Sequence, residues 1–400
     1  MSARSKGTVY LLGAGAFAVG TSAYVVSGVL PDVSSELHVS LTAAGQLATA
    51  FSLSYAIGAP ILSTLTGRWE RRTLLIAALV LAALGNLIAA LAVNYPILIA
   101  GRVVAALGAA MYTPAATLFA TSLMRPEERG RAVAIVFGGL TFALVLGVPA
   151  GTLLGPNLGY KGVFALITAV AVLVAIAERA ALPTIDAPPV VSLRERFAGV
   201  TDRRVQIILA ITVLAVLAAF SVYIYIVPLL KHTAGLTGNV TSLLLLLYGV
   251  GAVIGNFLGG RVTDRFGSLR TLAVLMIGIT AVLATLDVTL TTGVGAGAAL
   301  FVWGLLTWSF NPPIQNLLLE LGGGLLISLN ASAIYLGAGL SAVVGGLVIQ
   351  SLGVGYLPVL ASALSLVVLG LVYALWRDSV LQRVEELERD EDIYITAAAD

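Results

Sequence analysis

The sequence predicts an all-α membrane protein: twelve transmembrane helices in two six-helix bundles related by a pseudo-two-fold axis. Three observations carry this reading. Hydrophobic residues fill 59% of the 400 positions and charged residues only 10%, against about 25% charged in ordinary soluble domains. Apolar stretches recur at the roughly 20 residues an α-helix needs to cross a hydrocarbon layer about 30 Å thick. The second half of the chain also repeats features of the first, as expected when one six-helix unit has been duplicated.

The spans are expected at 8–30, 40–66, 73–94, 96–122, 131–155, 160–182, 205–230, 240–262, 270–291, 295–320, 325–351 and 355–376. The first follows Arg4 and Lys6, but it is too long for the apolar core of a cleavable signal and ends on Pro31 and Asp32. Short loops rich in Lys and Arg stay cytoplasmic. With both termini inside, all of the 22 basic residues except Lys161, Lys231 and Arg102 fall on inner segments. This predicts a multi-pass protein of the cell inner (plasma) membrane.

A polar stretch from Pro183 to Arg204 divides the chain into an N-terminal bundle (1–183), a cytoplasmic linker (184–204), a C-terminal bundle (205–378) and an acidic cytoplasmic tail (379–400). In the linker, Leu193, Phe197 and Val200 have the spacing of a short helix lying on the membrane surface; an ordinary solvated loop fits equally. Duplication shows at two places. Gly58 and Arg68 stand 197 positions before Gly255 and Arg265, while Gly151, Gly159 and Tyr160 fall over Gly345, Gly353 and Tyr356 at offsets of 194 to 196.

Composition also excludes several classes. With no cysteine there is no disulfide framework, thiolate metal site or Cys nucleophile. The net charge of +2 forms no basic stripe for nucleic acid. No Walker A motif, metal cluster, paired carboxylate or activated nucleophile stands in the spans, so neither an enzyme nor a cofactor is expected.

The strongest local motif is Gly260-Arg261-Val262-Thr263-Asp264-Arg265-Phe266-Gly267 with Arg270, in the loop between spans eight and nine. It resembles the signature loop of the major facilitator superfamily, in which the acid and the Arg residues latch the cytoplasmic side closed. The N-terminal copy departs from it: Gly67 stands where the resemblance expects Asp and Glu70 where it expects Gly, beside Arg68 and Arg71. Span five places Gly147, Gly151 and Gly155 on one helical face around Pro149, a face suited to close helix approach. Its Gly-Val-Pro-Ala-Gly-Thr-Leu-Leu-Gly run is similar to the drug and sugar efflux (drug:proton antiporter) branch, especially arabinose and chloramphenicol efflux transporters. The Gly20-Thr21-Ser22 opening of span one also resembles that branch, but Ala23 stands where it carries Glu.

Arg102 lies inside span four, where an uncompensated charge costs some 2.5 kcal/mol or more, so it is expected to face the bundle interior and coupling machinery; the alternative is an Arg that snorkels to the outer headgroups, since it lies only about six residues into the span. Its expected neighbours are Tyr24, Gln46 and Tyr112, with Asp32 near the outer mouth. Asp32, Asp287 and Glu320 are read as the only acids within or against a span, all near an end, leaving Asp32 as the coupling candidate. The cavity is then mostly neutral, with candidate liners Tyr24, Gln46, Tyr55, Arg102, Tyr112, Tyr223, Asn256, Trp303, Asn311, Asn330 and Tyr335, and also Tyr225, Trp308 and Gln315.

The resemblance implies a monomeric secondary transporter that exports a drug, sugar or nucleoside-like solute by alternating access, with protons as coupling ion. The missing Glu keeps open a proton-independent facilitator or importer of a neutral metabolite. From another class, a transport-inactive membrane sensor also fits.

Overall fold

In the computed structural model, residues 3–124, 129–185, 199–322 and 324–397 are described. Among them the chain is helical, with no strand. Its helices are α1 (Ala3–Tyr24), α2 (Val26–Glu36), α3 (Leu41–Leu65), α4 (Arg71–Ala90), α5 (Tyr95–Ser122), α6 (Arg129–Ala181), α7 (Arg203–Tyr223), α8 (Ile226–Ala234), α9 (Asn239–Phe266), α10 (Ser268–Thr289), α11 (Gly293–Ser309), α12 (Asn311–Gly322), α13 (Gly324–Ser351) and α14 (Leu357–Ala397). The surface helix expected around Leu193 and Phe197 lies outside the described residues.

Ten helices are long and apolar enough to cross a membrane, or eleven when α1 and α2, bent by 43°, are taken as one broken span. The 53 residues of α6 would make a straight helix roughly 80 Å long, far more than one crossing needs. Gly159 divides it with φ 65° and ψ 173°, so α6 supplies spans five and six and the described residues hold twelve crossings. Gly353, at φ 100°, breaks the chain at the matching place between α13 and α14. The first span of each half is likewise broken, at Val25 and at Ile224–Tyr225.

Polar residues at the helix starts explain the boundaries. The side chains of Ser40, Asn94, Asp202 and Thr292 accept from first-turn amides of α3, α5, α7 and α11, satisfying donors that have no partner within the helix. Gly267, at φ 82°, makes the turn from α9 into α10, a conformation that side chains with a Cβ rarely adopt. Where α6 crosses α1 and α2, a Cβ on Gly139 would meet the Gly13 carbonyl at 2.0 Å and one on Gly28 the Val148 carbonyl at 2.6 Å. The small-residue face of span five therefore packs against span one.

The loop holding Asp264–Gly267 lies on the face rich in Lys and Arg, called here the basic face; the opposite face is the far face. The halves meet through α3 against α13 and α6 against α9, and they are tied on the far side. The hydroxyl of Thr42 donates to the Gly346 carbonyl at 3.2 Å, that of Thr49 to the Gly339 carbonyl at 3.1 Å, and the Thr152 and Ser242 hydroxyls bond to each other at 2.6 Å. Tyr55 stacks on Tyr335 at 3.6 Å between ring centroids. These hydrogen bonds between the halves lie on the far side of that stack and close the far entrance.

Candidate functional site

A cavity of about 40 Å³ lies where α1, α2, α3, α7 and α13 converge. Tyr24, Ser27, Ser52, Phe220 and Tyr335 line it, with Ala23 beside Tyr24 and no charged side chain. Room for roughly three waters is too little for an organic solute, so the halves must part to admit one. Behind Tyr24 stand Trp308 and Phe220, each 6.4 Å away between ring centroids. The aromatic cluster continues through Tyr223, Tyr248 and Trp303 at 4.7 to 6.3 Å. The Tyr223 hydroxyl and Trp303 Nε1 are buried with no hydrogen-bond partner. Trp308 Nε1 and the Thr307 hydroxyl lie beside the Tyr248 hydroxyl without hydrogen-bond geometry.

Arg102 is fully buried but does not reach this cavity. Its Nη1 donates to Ser22 Oγ at 3.2 Å and its Nη2 to the Ser22 carbonyl at 2.7 Å, while Ser22 Oγ donates to Asn86 Oδ1 at 2.8 Å. The guanidinium lies over Phe51 at 4.5 Å and Phe164 at 5.4 Å, contacts that suit a poorly hydrated planar cation. The interior placement agrees with the sequence reading; the expected neighbours do not. Ser22, Phe51 and Phe164 take the places assigned to Tyr24, Gln46, Tyr112 and Asp32, because the guanidinium points into the packed seam between spans one, two, four and six.

The other sequence candidates separate by position. Tyr24 and Tyr335 line the cavity, and Tyr55 is buried under Tyr335. Tyr223, Trp303 and Trp308 form the aromatic cluster. Gln46 Nε2 instead reaches the Ala342 carbonyl at 3.4 Å, and the Tyr225 hydroxyl donates to that carbonyl at 2.8 Å. Asn330 is tied within the C-terminal half, its Oδ1 accepting from the Thr212 hydroxyl at 2.8 Å. Asn256, Asn311 and Gln315 are half-buried outside the cavity lining. Asp32 is half-buried at the far end, packed on Gly155, while Asp287 and Glu320 are exposed.

Asp264, Arg265 and Arg68 are exposed, and Arg71 is buried. Among the described residues Asp264 has no hydrogen bond or ion pair, so the contact expected of a latch is not made here. In the N-terminal copy Glu70 caps α4: Oε1 accepts from the Arg72 amide at 2.8 Å and the Ile185 amide at 3.2 Å, and Oε2 from the Thr73 amide and hydroxyl at 2.8 and 2.6 Å. Partial burial alone would raise the Glu70 carboxyl, but the bonds from Thr73 and Ile185 and the nearby Arg179 charge hold it below the usual carboxylate range.

One buried acid escapes the sequence reading that Asp32, Asp287 and Glu320 are the only ones in the spans. Glu178, near the basic end of span six, is fully buried and bonded to the Tyr112 hydroxyl. That hydroxyl also lies 3.1 Å from the Leu12 carbonyl. Its signal was helical phase: Ala171, Ala175, Glu178 and Leu182 are buried along one face, while Val172, Leu173, Ile176 and Arg179 are exposed.

Residues 12–323 match the model of the Major Facilitator Superfamily, and the uncharacterized MFS-type transporter YbcL of Bacillus subtilis is 33% identical over 86% of this chain and 89% of its own. The chain belongs to the Major Facilitator Superfamily. It is therefore a multi-pass membrane transporter and not an enzyme. The inner membrane transport protein YdhP of Escherichia coli is 32% identical over 90% of this chain and 94% of its own. A chloramphenicol resistance protein of Streptomyces lividans is 35% identical over 64% of this chain and 67% of its own. In fold, the chain is similar to the crystal structure of a bacterial homologue of the human lysosomal transporter Spinster, with a TM-score of 0.75 at 14% identity over 94% of this chain and 98% of that one.

Proposed function

We propose that this transporter exports a small, uncharged organic molecule bearing hydrogen-bond acceptors, with its basic face in the cytoplasm of a bacterial inner membrane. The observation that carries the reading is the chemistry around the cavity. Its lining has no charge, and behind it the donors of Tyr223 and Trp303 are buried without acceptors. Indole N–H groups only donate, and an unpaired buried donor costs about 1–3 kcal/mol. A ligand carbonyl, nitro or hydroxyl oxygen reaching the cluster when the halves part would recover that cost, while its rings pack on Tyr24, Phe220 and Trp308. The relatives include the chloramphenicol resistance protein of Streptomyces lividans and a chloramphenicol efflux pump of Mycobacterium tuberculosis, 29% identical over 78% of each chain. Chloramphenicol, neutral and rich in acceptors, is accordingly the probe of choice.

In everted vesicles, wild type should accumulate chloramphenicol, and Tyr223→Phe and Trp303→Phe should lose at least about fivefold in apparent affinity, the equivalent of about 1 kcal/mol per donor. Tyr223→Phe should keep the wild-type melting temperature, since its hydroxyl has no protein partner to lose, whereas Trp303→Phe also leaves a gap beside Tyr223 and Tyr248 and should melt lower. Unchanged affinity in both would remove the aromatic cluster from the path.

A further inference from the structure

We propose that Glu178 is the proton-carrying carboxyl of this transporter, neutral in the conformation closed at the far face, and that loss of its proton releases the link that Tyr112 makes from span four to span one. The inference rests on the reading of the chain as a solute transporter, but not on which solute it carries. Span one lacks an acid at Ala23, and the cavity lining has none; Glu178 is the acid that the described part of the N-terminal bundle encloses completely.

Counting protons assigns its state. The Tyr112 hydroxyl stands within hydrogen-bonding reach of two acceptors, Leu12 O of α1 and Glu178 Oε1 of α6, and it owns one proton. With an ionised Glu178 only one of the two contacts can be a hydrogen bond. With a neutral Glu178, the carboxyl donates to the tyrosine oxygen and the tyrosine donates to Leu12, so both are satisfied. The second oxygen points the same way: Glu178 Oε2 is buried with no partner, tolerable for a carboxylic C=O and costly for a carboxylate. When the proton leaves to water at the basic face, the carboxylate claims the Tyr112 proton. Leu12 then loses its cross-helix donor and keeps only its bond within α1. Gly15 makes the contact possible, since a Cβ there would stand 1.9 Å from the Tyr112 oxygen.

The groups around Glu178 offer no ready counter-charge. From α5 it meets Tyr112, whose hydroxyl also reaches the Leu12 carbonyl of α1. At the basic end of α4 the charged groups are Glu70, committed to its cap, Arg72, whose Nη1 donates to the Leu182 carbonyl at 3.1 Å, and Arg71. The adjacent Arg179 is exposed.

Two measurements on the purified full chain test this without a substrate. Infrared spectra across a pH titration should show a protonated-carboxyl C=O band near neutral pH that Glu178→Gln abolishes and Tyr112→Phe retains at a shifted frequency. Because the chain has no cysteine, Thr152→Cys with Ser242→Cys provides a disulfide reporter of far-face closure at a pair of hydroxyls 2.6 Å apart. Cross-linking should fall as pH rises with Glu178 present, and the fall attributable to Glu178 should be lost both in Glu178→Gln and in Tyr112→Phe, which keeps the carboxyl but cuts the link. Identical infrared spectra for wild type and Glu178→Gln, or the same pH response of cross-linking with and without Glu178, would overturn the proposal. Failure of chloramphenicol transport would sink the substrate reading alone.

Discussion

Closure of the far face is held in part by a few hydroxyls, beside the longer Gln46–Ala342 contact at 3.4 Å, and the hydroxyls' share of its strength can be worked out. Thr42, Thr49 and Thr152 each bridge the two halves, at 3.2, 3.1 and 2.6 Å. Replacing each by Val keeps the shape and removes the donor. The acceptors are not orphaned, since the Gly346 and Gly339 carbonyls sit inside α13 and Ser242 Oγ retains the Gly238 carbonyl at 3.2 Å. Each loss is then worth about 1 kcal/mol, the net value of an ordinary hydrogen bond. Thr42 and Thr49 are two helical turns apart and Thr152 lies on another helix, so the effects should add. The triple variant loses about 3 kcal/mol of bias toward far-face closure, a population shift of roughly 150-fold. The assay uses Ser27→Cys, a cavity-lining position in a chain without other cysteines, labelled by a membrane-impermeant maleimide from either face. Labelling from the far face should accelerate steeply in the triple variant and modestly in each single one. If the triple variant labels from the far face at the wild-type rate, these bonds do not hold the entrance and the reasoning fails.

Three further perturbations follow from the same geometry. Arg102→Ala gives up two charge-assisted bonds worth about 1.5–3 kcal/mol each and regains the roughly 2.5–3.5 kcal/mol cost of a charge in the membrane; a net loss near 2 kcal/mol should lower the melting temperature, with Arg102→Lys in between because an ammonium cannot stack on Phe51 as a guanidinium does. Glu70→Gln should weaken the α4 cap by about 1 kcal/mol at neutral pH. Because folding lowers this carboxyl, its contribution is present above the unfolded carboxylate range and lost as pH falls through the folded value, so melting curves of wild type and variant should converge in acid. Asp264→Asn removes a charge that has no partner in this conformation, so it should slow transport while leaving the melting temperature at the wild-type value; wild-type flux would remove the latch.

The twelve crossings were legible because a bilayer imposes one demand, about 20 apolar residues per crossing with every backbone group bonded inside its own helix. The family was legible because a few glycines and the Asp264-Arg265-Phe266-Gly267 run carry backbone requirements: Gly267 must take a left-handed turn and the span-five glycines must let α1 close in. Polar side chains in the spans were harder to place. Tyr24, Tyr55, Tyr112 and Tyr225 look equivalent in sequence, yet they line a cavity, stack across the halves, bind a buried acid and brace α13.

Sequence by itself thus determined what each segment must do alone: cross the membrane, start at a cap, turn at a glycine, and keep most of its Lys and Arg at one face. The tertiary structure decided which side chains meet. Whether Glu178 is a boundary charge beside Arg179 or a sealed acid depends on the rotation of span six and on Tyr112, 66 residues earlier, arriving opposite it. Hydropathy reports how apolar a segment is, and it is nearly blind to the direction in which one polar atom points.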